Sequence, residues 1–345
     1  MRARPNVPEK RNTIIDVGRL AGVSTKTVSR VLNGEPHVSE ELRKRVREAA
    51  DQLNYHPNVM AQALVRRRSY LVGLVFENPS PSYVVELQMG VIDRLRGSHY
   101  RLVVLPIGST VEHAEEVVGL ARSAALDGVV LAPPVCDHPG VLADLEKAGI
   151  RFARIAPTTQ LEIAPYTMLD EVAAAKDAAR HLIALGHRKI AIICGDPSHA
   201  ATSARLDGYR IAFAEGGLDM AEAMIEPGMF TFDSGMEAGR RILARRDRPT
   251  AILAQNDDMA VGALMAAHEI GLRLPDELSV VGFDDSEVSR ITWPPLTTIQ
   301  QPVFEMARAA ADMLVASLEG AEHAEREPHA HRLIVRASAV RPRAT

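Results

Sequence analysis

From Ser69 onward the chain alternates short apolar runs with longer amphipathic ones, and this rhythm restricts the fold more than any other feature. Strands are expected at Leu71–Phe76, Tyr100–Leu105, Gly128–Leu131, Ile190–Cys194, Ala251–Ala254 and Leu278–Phe283. Between them, Val84–Leu95, His113–Ala125, Glu171–Leu185, Ala204–Glu215, Met236–Arg245 and Met259–Ile270 keep a helical period. A βαβα order predicts parallel, doubly wound sheets with helices on both faces. The alternation fills roughly 270 residues, enough for two lobes at ordinary domain size. Hydrophobic residues make up 46% but aromatics only 4%, so the packing must come from Ala, Leu and Val. No short repeat is present, and the one biased patch is a mild Glu/His/Ala stretch from Glu319 to His331.

The amino-terminal part follows a different, all-helical pattern. Residues 1–11 are polar and are expected to be disordered. Thr13 to Leu20 reads as a helix, with Thr13 as N-cap and Asp16 three residues on to complete a capping box. Ala21-Gly22-Val23 follows, and its glycine can take the positive φ of a tight helix–helix corner. Ser24 to Asn33 is a second helix, with Val28, Val31 and Thr27 near the Ser24 cap on one side. Thr25, Lys26, Ser29 and Arg30 occupy the other, a face suited to phosphates and base edges. Asn33 to Pro36 is a loop. A third helix then starts with Ser39 as N-cap, has Glu40 and Glu41 in its first turn, and buries Leu42, Val46, Ala49, Ala50 and Leu53. Two helices joined by a short glycine turn are the helix-turn-helix arrangement, whose second helix enters the DNA major groove.

Charge agrees with this division. The net charge of −4 splits into +7 for residues 1–68 and −11 for the remainder, a basic head on an acidic body. Cys136 and Cys194 lie far apart in apolar runs, which fits a reducing compartment rather than a disulfide framework. No apolar run is long enough to span a membrane, and the basic, polar start of the chain does not read as a secretory signal. After a last strand expected at Arg332–Arg336, too few residues follow for a coiled coil. Walker A, G-x-G-x-x-G, G-x-S-x-G and metal-spaced His/Cys/Asp patterns are all missing, so no enzyme chemistry, cofactor or metal is expected. The H-x-H pair His329 and His331 reads as solvated rather than metal-binding.

The motifs resemble those of the lactose-repressor (LacI/GalR) family of transcriptional regulators. The resemblance rests on T-I-I-D-V-G-R-L-A-G-V-S-T-K-T-V-S-R-V-L-N (13–33), H-V-S (37–39), L-N-Y-H-P-N (53–58) and A-Q-A-L (61–64). In the body it rests on A-R-L-D-G-Y (204–209), Q-N-D-D-M-A-V-G (255–262), L-S-V-V-G-F-D-D (278–285) and P-P-L-T-T-I-Q-Q (294–301). It implies an all-α helix-turn-helix head and an α/β body similar to periplasmic sugar-binding proteins, two parallel-sheet lobes joined by three crossings. The implied layout is a head at 12–56, a hinge helix and linker at 57–68, and an effector-binding and dimerisation body at 69–345. Lobe one would take about 69–164 plus 300–328, and lobe two about 165–299 plus 329–341.

By the same resemblance Thr25 and Lys26 read bases, and Arg30 reaches guanine, whose O6 and N7 suit a bidentate arginine. Ser24, Thr27, Ser29, Asn33, His37 and Ser39 match phosphate-contacting or capping positions, with Ser24 and Ser39 serving as caps as well. Asn58 falls in the hinge helix, and Leu64 on the leucine that wedges into a minor-groove base step. In the body, Arg205, Asn256 and Asp284 match positions that hold sugar hydroxyls, and Phe230 an aromatic platform for a sugar ring. Tyr83 and Gln301 are weaker candidates. Asp257 and Asp285 read as turn or helix caps. Where some relatives carry an aspartate after the fourth strand, this chain has Ile155-Ala156-Pro157. Arg154 beside it fits either a pocket residue for an anionic ligand or a strand-end surface arginine. The implied protein is a cytoplasmic, homodimeric DNA-binding regulator. Its expected action is repression of carbohydrate genes from a palindromic operator, relieved by a small sugar; the alternative is a sugar or purine acting as corepressor.

Overall fold

The computed structural model describes residues 12–32, 38–55, 68–77, 80–108, 113–321 and 328–343, and divides into two compact units, a head up to Ser69 and a body from Tyr70. Residues 1–11, most of the expected hinge at 57–68, and the candidate residues Asn33, His37, Asn58 and Leu64 lie outside the described residues.

The head holds α1 (Ile14–Ala21), α2 (Thr25–Leu32) and α3 (Glu40–Gln52). Thr13 starts α1 by donating from both its amide and its hydroxyl to the Asp16 carboxylate, at 2.9 and 2.7 Å. Gly22 ends it at φ 64° and ψ 36°, a left-handed conformation that costs other L-residues about 1–2 kcal/mol. This turns the chain sharply into α2, whose first turn is tied by the Thr27 amide donating to the Ser24 hydroxyl at 3.1 Å. Ser39 sits at the N-cap of α3 with extended backbone, but its hydroxyl makes no cap bond; acidic first-turn residues Glu40 and Glu41 are the helix's favourable N-terminal charges. Val17, Ala21, Val28, Val31, Val46, Ala49 and Ala50 close a small three-helix core.

The body contains two sheets. The first orders β2-β1-β3-β4-β5 from β1 (Leu71–Glu77), β2 (Arg101–Ile107), β3 (Gly128–Leu131), β4 (Arg151–Ile155) and β5 (Tyr166–Thr167), all parallel. The second orders β11-β10-β9-β8-β6-β7 from β6 (Ile190–Cys194), β7 (Met224–Pro227), β8 (Ala251–Ala254), β9 (Ser279–Asp284), β10 (Thr297–Gln300) and β11 (Arg332–Ile334). Among the described residues, β11 alone runs antiparallel to its neighbour in this sheet. Helices α4 (Pro81–Leu95), α5 (Glu116–Ser123), α6 (Pro139–Ala148), α7 (Glu171–Leu185), α8 (Ala200–Glu215), α9 (Phe232–Leu243), α10 (Asp257–Glu269), α11 (Glu287–Ile291) and α12 (Val303–Glu319) connect them. Strand β5 pairs with β4, so the first sheet extends past the boundary expected at residue 164.

The chain crosses between sheets three times: after β5, after β10, and again after α12 on the way to β11. Two crossing segments touch each other, the His329 amide donating to the Met168 carbonyl at 2.8 Å. Helix α12 returns to the first lobe and packs against α4, where Arg94 pairs with Asp312 at 2.5 Å and Arg308 with Asp93 at 3.2 Å. A single buried cluster threads both lobes, from Val72 and Leu87 through Met306 and Leu314 to Ile192, Tyr209 and Phe283. Among the described residues no helix is long and apolar enough to cross a membrane.

Two expectations are corrected here. Arg154 is neither a pocket cation nor a surface arginine: it lies on interior strand β4 and is fully buried. A guanidinium there must find internal partners, and it donates to the carbonyls of Cys136, Thr159 and Gln160 at 2.7 Å and to Asp137 at 2.9 Å. His331 is not solvated either; its ring pairs with Asp177 on α7 at 2.9 Å.

Candidate functional site

The loops leaving the carboxyl ends of β1, β3, β4, β6, β7, β8, β9 and β10 converge on one cleft between the two sheets, the side of an open α/β fold on which ligands bind. The cavity there measures about 100 Å³, and all six body residues expected to bind a ligand line it: Tyr83, Arg205, Phe230, Asn256, Asp284 and Gln301.

Arg205 forms the cleft's ionic centre. Helix α8 brings it in buried, with its guanidinium stacked 3.7 Å from the centre of the Phe283 ring. Its Nε donates to Glu171 at 2.9 Å, one Nη donates to the other Glu171 oxygen at 3.4 Å, and the second Nη donates to the Gln255 carbonyl. Burial opposes the charge on Arg205, but Glu171 beside it outweighs that and raises the pKa. Asp284 ends β9 with a φ of 122°, outside the range ordinary side chains prefer, and accepts from the Gln301 amide at 2.5 Å. Burial pushes its carboxyl well above the usual range, against the pull of Arg205 and with Asp257 adding to the rise.

Phe230 and Asn256 work as a unit. The Asn256 side-chain oxygen caps α10 by accepting from the Met259 amide at 3.0 Å, while its nitrogen donates to the Phe230 carbonyl at 2.8 Å. Asn256 therefore fixes Phe230, which adopts a φ of 58°. The ring stands edge-on to His199 at 5.2 Å and lies over Gly195, where a Cβ would fall 1.9 Å from the Phe230 Cζ. Gln255, fully buried behind this wall, accepts from the Gly195 amide at 2.8 Å and donates to the Thr202 carbonyl at 3.0 Å. Burial lowers the His199 pKa, and burial raises that of the Tyr83 phenol.

Motif matching did not single out Glu171, His199, Ser80 or Thr158, which also line the cleft. Glu171 was legible only as the acidic first turn of an expected helix. The Ser80 hydroxyl accepts from the Tyr83 amide at 3.4 Å, and Ser80 tempers the rise that burial gives the Asp258 carboxyl on α10. Asp257 and Asp285, read as caps, hold loops behind the cleft. Asp257 accepts from the Ser286 amide and hydroxyl and the Thr298 hydroxyl at 2.8, 2.9 and 2.6 Å; Asp285 pairs with Arg290 and Arg336. Burial lifts the Asp257 carboxyl to about 7. No cluster of metal-ligating side chains occurs among the described residues.

In the head, Ser24, Thr25, Lys26 and Ser39 are exposed, while Thr27, Ser29 and Arg30 are half-buried. Helix α2 thus presents a Thr-Lys pair outward at its first turn, with Val28 and Val31 anchoring it beneath.

Residues 13–58 match the family described as bacterial regulatory proteins, lacI family, and residues 179–339 match the periplasmic binding protein-like domain. The chain is 33% identical to the transcriptional regulator DegA of Bacillus subtilis (strain 168), over 86% of this chain and 88% of that one. A solved complex of the regulator CelR with cellobiose is 31% identical, with a TM-score of 0.71 over 95% of this chain and 100% of that one. The Lac repressor dimer bound to operator and the anti-inducer ONPF is 29% identical, with a TM-score of 0.83 over 96% of this chain and 100% of that one. With a helix-turn-helix head, a two-lobed ligand-type cleft and these full-length relatives, the chain belongs to the lacI family of bacterial regulatory proteins and is a DNA-binding transcriptional regulator.

Proposed function

We propose that the protein is a homodimeric repressor whose α2 helices read the two halves of a palindromic operator and whose cleft takes a small sugar that switches operator affinity. The observation that carries the ligand reading is the cleft itself. Arg205, Asp284, Asn256 and Gln301 gather donors and acceptors beside the Phe230 ring, the mixture a sugar needs for its hydroxyls and its apolar face. The cellobiose held by CelR supports the ligand class, and the operator-bound Lac repressor dimer supports the DNA and subunit reading. Thr25 and Lys26 contact base edges, Arg30 a guanine, and Ser24, Thr27, Ser29 and Ser39 the phosphates beside them. An exposed apolar stripe on α4, Val85, Met89 and Ile92 at helical spacing, offers a surface for the second subunit.

The test couples two measurements on the full chain. Thermal melting against mono- and disaccharides identifies a ligand, because binding to the folded state raises stability by mass action. Operator affinity is then titrated with that ligand for the wild type and for Asp284→Asn. The wild type is expected to change affinity by roughly 5–150-fold, a coupling of about 1–3 kcal/mol, and the variant to bind operator but not respond. A variant that responds normally would remove the cleft from the mechanism.

A further inference from the structure

We propose that Glu171 sets the charge class of the effector: by occupying the fork of Arg205 it makes the cleft select an uncharged polyhydroxylated ligand and reject phosphorylated or carboxylated ones. This rests on the reading of the cleft as the effector site.

Anions are bound in proteins by guanidinium forks, ammonium groups, protonated histidines or the open amides of helix N-termini. Around this cleft the two buried guanidinium forks and the starts of three helices are already filled. Arg205 is the lining guanidinium, and its Nε edge is closed by Glu171, one Nη by the Gln255 carbonyl and one flat face by Phe283. Arg154, the other buried arginine nearby, is committed to three carbonyls and Asp137. Burial disfavours a charge on His199.

The helix ends tell the same story. Helices α4, α7, α8 and α10 begin at the cleft wall, and at all but α8 a side-chain oxygen of the chain accepts from a first-turn amide. Ser80 accepts at α4, Asp170 accepts from the Ala173 amide at α7, and Asn256 accepts at α10. Ahead of α8, Asp196 accepts from both the amide and the hydroxyl of Ser198, at 2.7 and 2.6 Å. The lining guanidinium is already matched by the Glu171 carboxylate, and the lining Asp137 is held by Arg154. A ligand phosphate would meet the Glu171 carboxylate and no unfilled guanidinium fork. Sugar hydroxyls, which donate as well as accept, suit Asp284 and the remaining guanidinium hydrogens.

The experiment is a set of melting and calorimetric titrations of the full chain. The probes are neutral sugars, their 6-phosphates, the matching uronates and inorganic phosphate, on the wild type and on Glu171→Gln. For the wild type, any stabilising sugar should bind roughly 100-fold more tightly than its phosphate or uronate, the ratio expected when a charged group is desolvated without a partner. Inorganic phosphate should leave the melting of the body unchanged. Glu171→Gln frees the fork, so inorganic phosphate should now stabilise the body and the neutral-to-phosphate ratio should shrink at least roughly tenfold. A sugar phosphate that binds the wild type as tightly as its neutral parent overturns the proposal, even if the variant does not fold. If no sugar binds but phosphate discriminates the two proteins as stated, the charge assignment stands and the sugar reading falls.

Discussion

At the scale of single residues, the cleft depends on contacts too close to tolerate substitution. Gly195 is the clearest: one methyl group would occupy the space of the Phe230 ring. Gly195→Ala is expected to destabilise the body by about 1–3 kcal/mol through overpacking, and to weaken effector binding as the ring moves. Melting and ligand titration of the variant check both effects. Asp257 supplies a pH dependence. Its folded pKa of about 7 lies above the unfolded value of roughly 4, so between those values the folded state binds the extra proton. Stability from this residue is therefore greatest below pH 4, falls as pH rises towards 7, and levels above. Against Asp257→Asn, which cannot ionise, the wild type should lose stability by up to about 1.4 kcal/mol per pH unit within that window, measured by denaturant unfolding at pH 5, 6, 7 and 8. A difference that stays constant with pH would contradict the assignment. Gly195 did not announce itself in the sequence, and Asp257 did so only as a cap. Gly195 matters because of an aromatic ring from a different strand loop, and Asp257 because Thr298 and Ser286 fold over it.

At the scale of elements, legibility followed periodicity. Strands β3, β6 and β8 and helix α7 have the ends expected from their hydrophobic pattern, since the strands are unbroken apolar runs bounded by polar or turn residues and α7 keeps a helical period. Helix α12 was not among the elements expected from that pattern. Its residues Val303, Met306, Ala307, Ala309, Ala310, Ala311, Met313, Leu314, Val315 and Leu318 are buried. Strand β5, with two residues, is too short to show an alternation. In the head, local chemistry was enough: Thr13, Asp16 and Gly22 each do what their type predicts. Helix α2 carries the prediction at this scale. Arg30→Ala should lose roughly 1–3 kcal/mol of discrimination between operator and random DNA while leaving the melting of the body unchanged. Competition binding against random DNA measures it, and full retained discrimination would rule Arg30 out as the guanine reader.

At the scale of the whole molecule, the candidate cleft was only partly legible. The six body residues named from the resemblance share one cavity, but the resemblance gave no account of Glu171, which pairs with Arg205. That pairing joins the start of α7 to the middle of α8, and no local pattern encodes it. If the cleft and the operator-reading head are coupled, the coupling is reciprocal. Saturating operator DNA should change effector affinity by the same factor that effector changes operator affinity, which paired calorimetric titrations test directly. Unequal factors would mean that the two measurements report different equilibria.

The return of α12 to the first lobe also has a consequence for how the protein is made. Strands β3, β4 and β5 and helix α4 are translated early, yet they are covered by a helix that leaves the ribosome roughly 200 residues after α4 does, about 10–40 s later at ordinary elongation rates. The head has its own core and needs none of that delay. On the ribosome, a folded DNA-binding head would precede by many seconds the body that regulates it. The first lobe would meanwhile wait with its α12-binding surface uncovered, a natural client for chaperones.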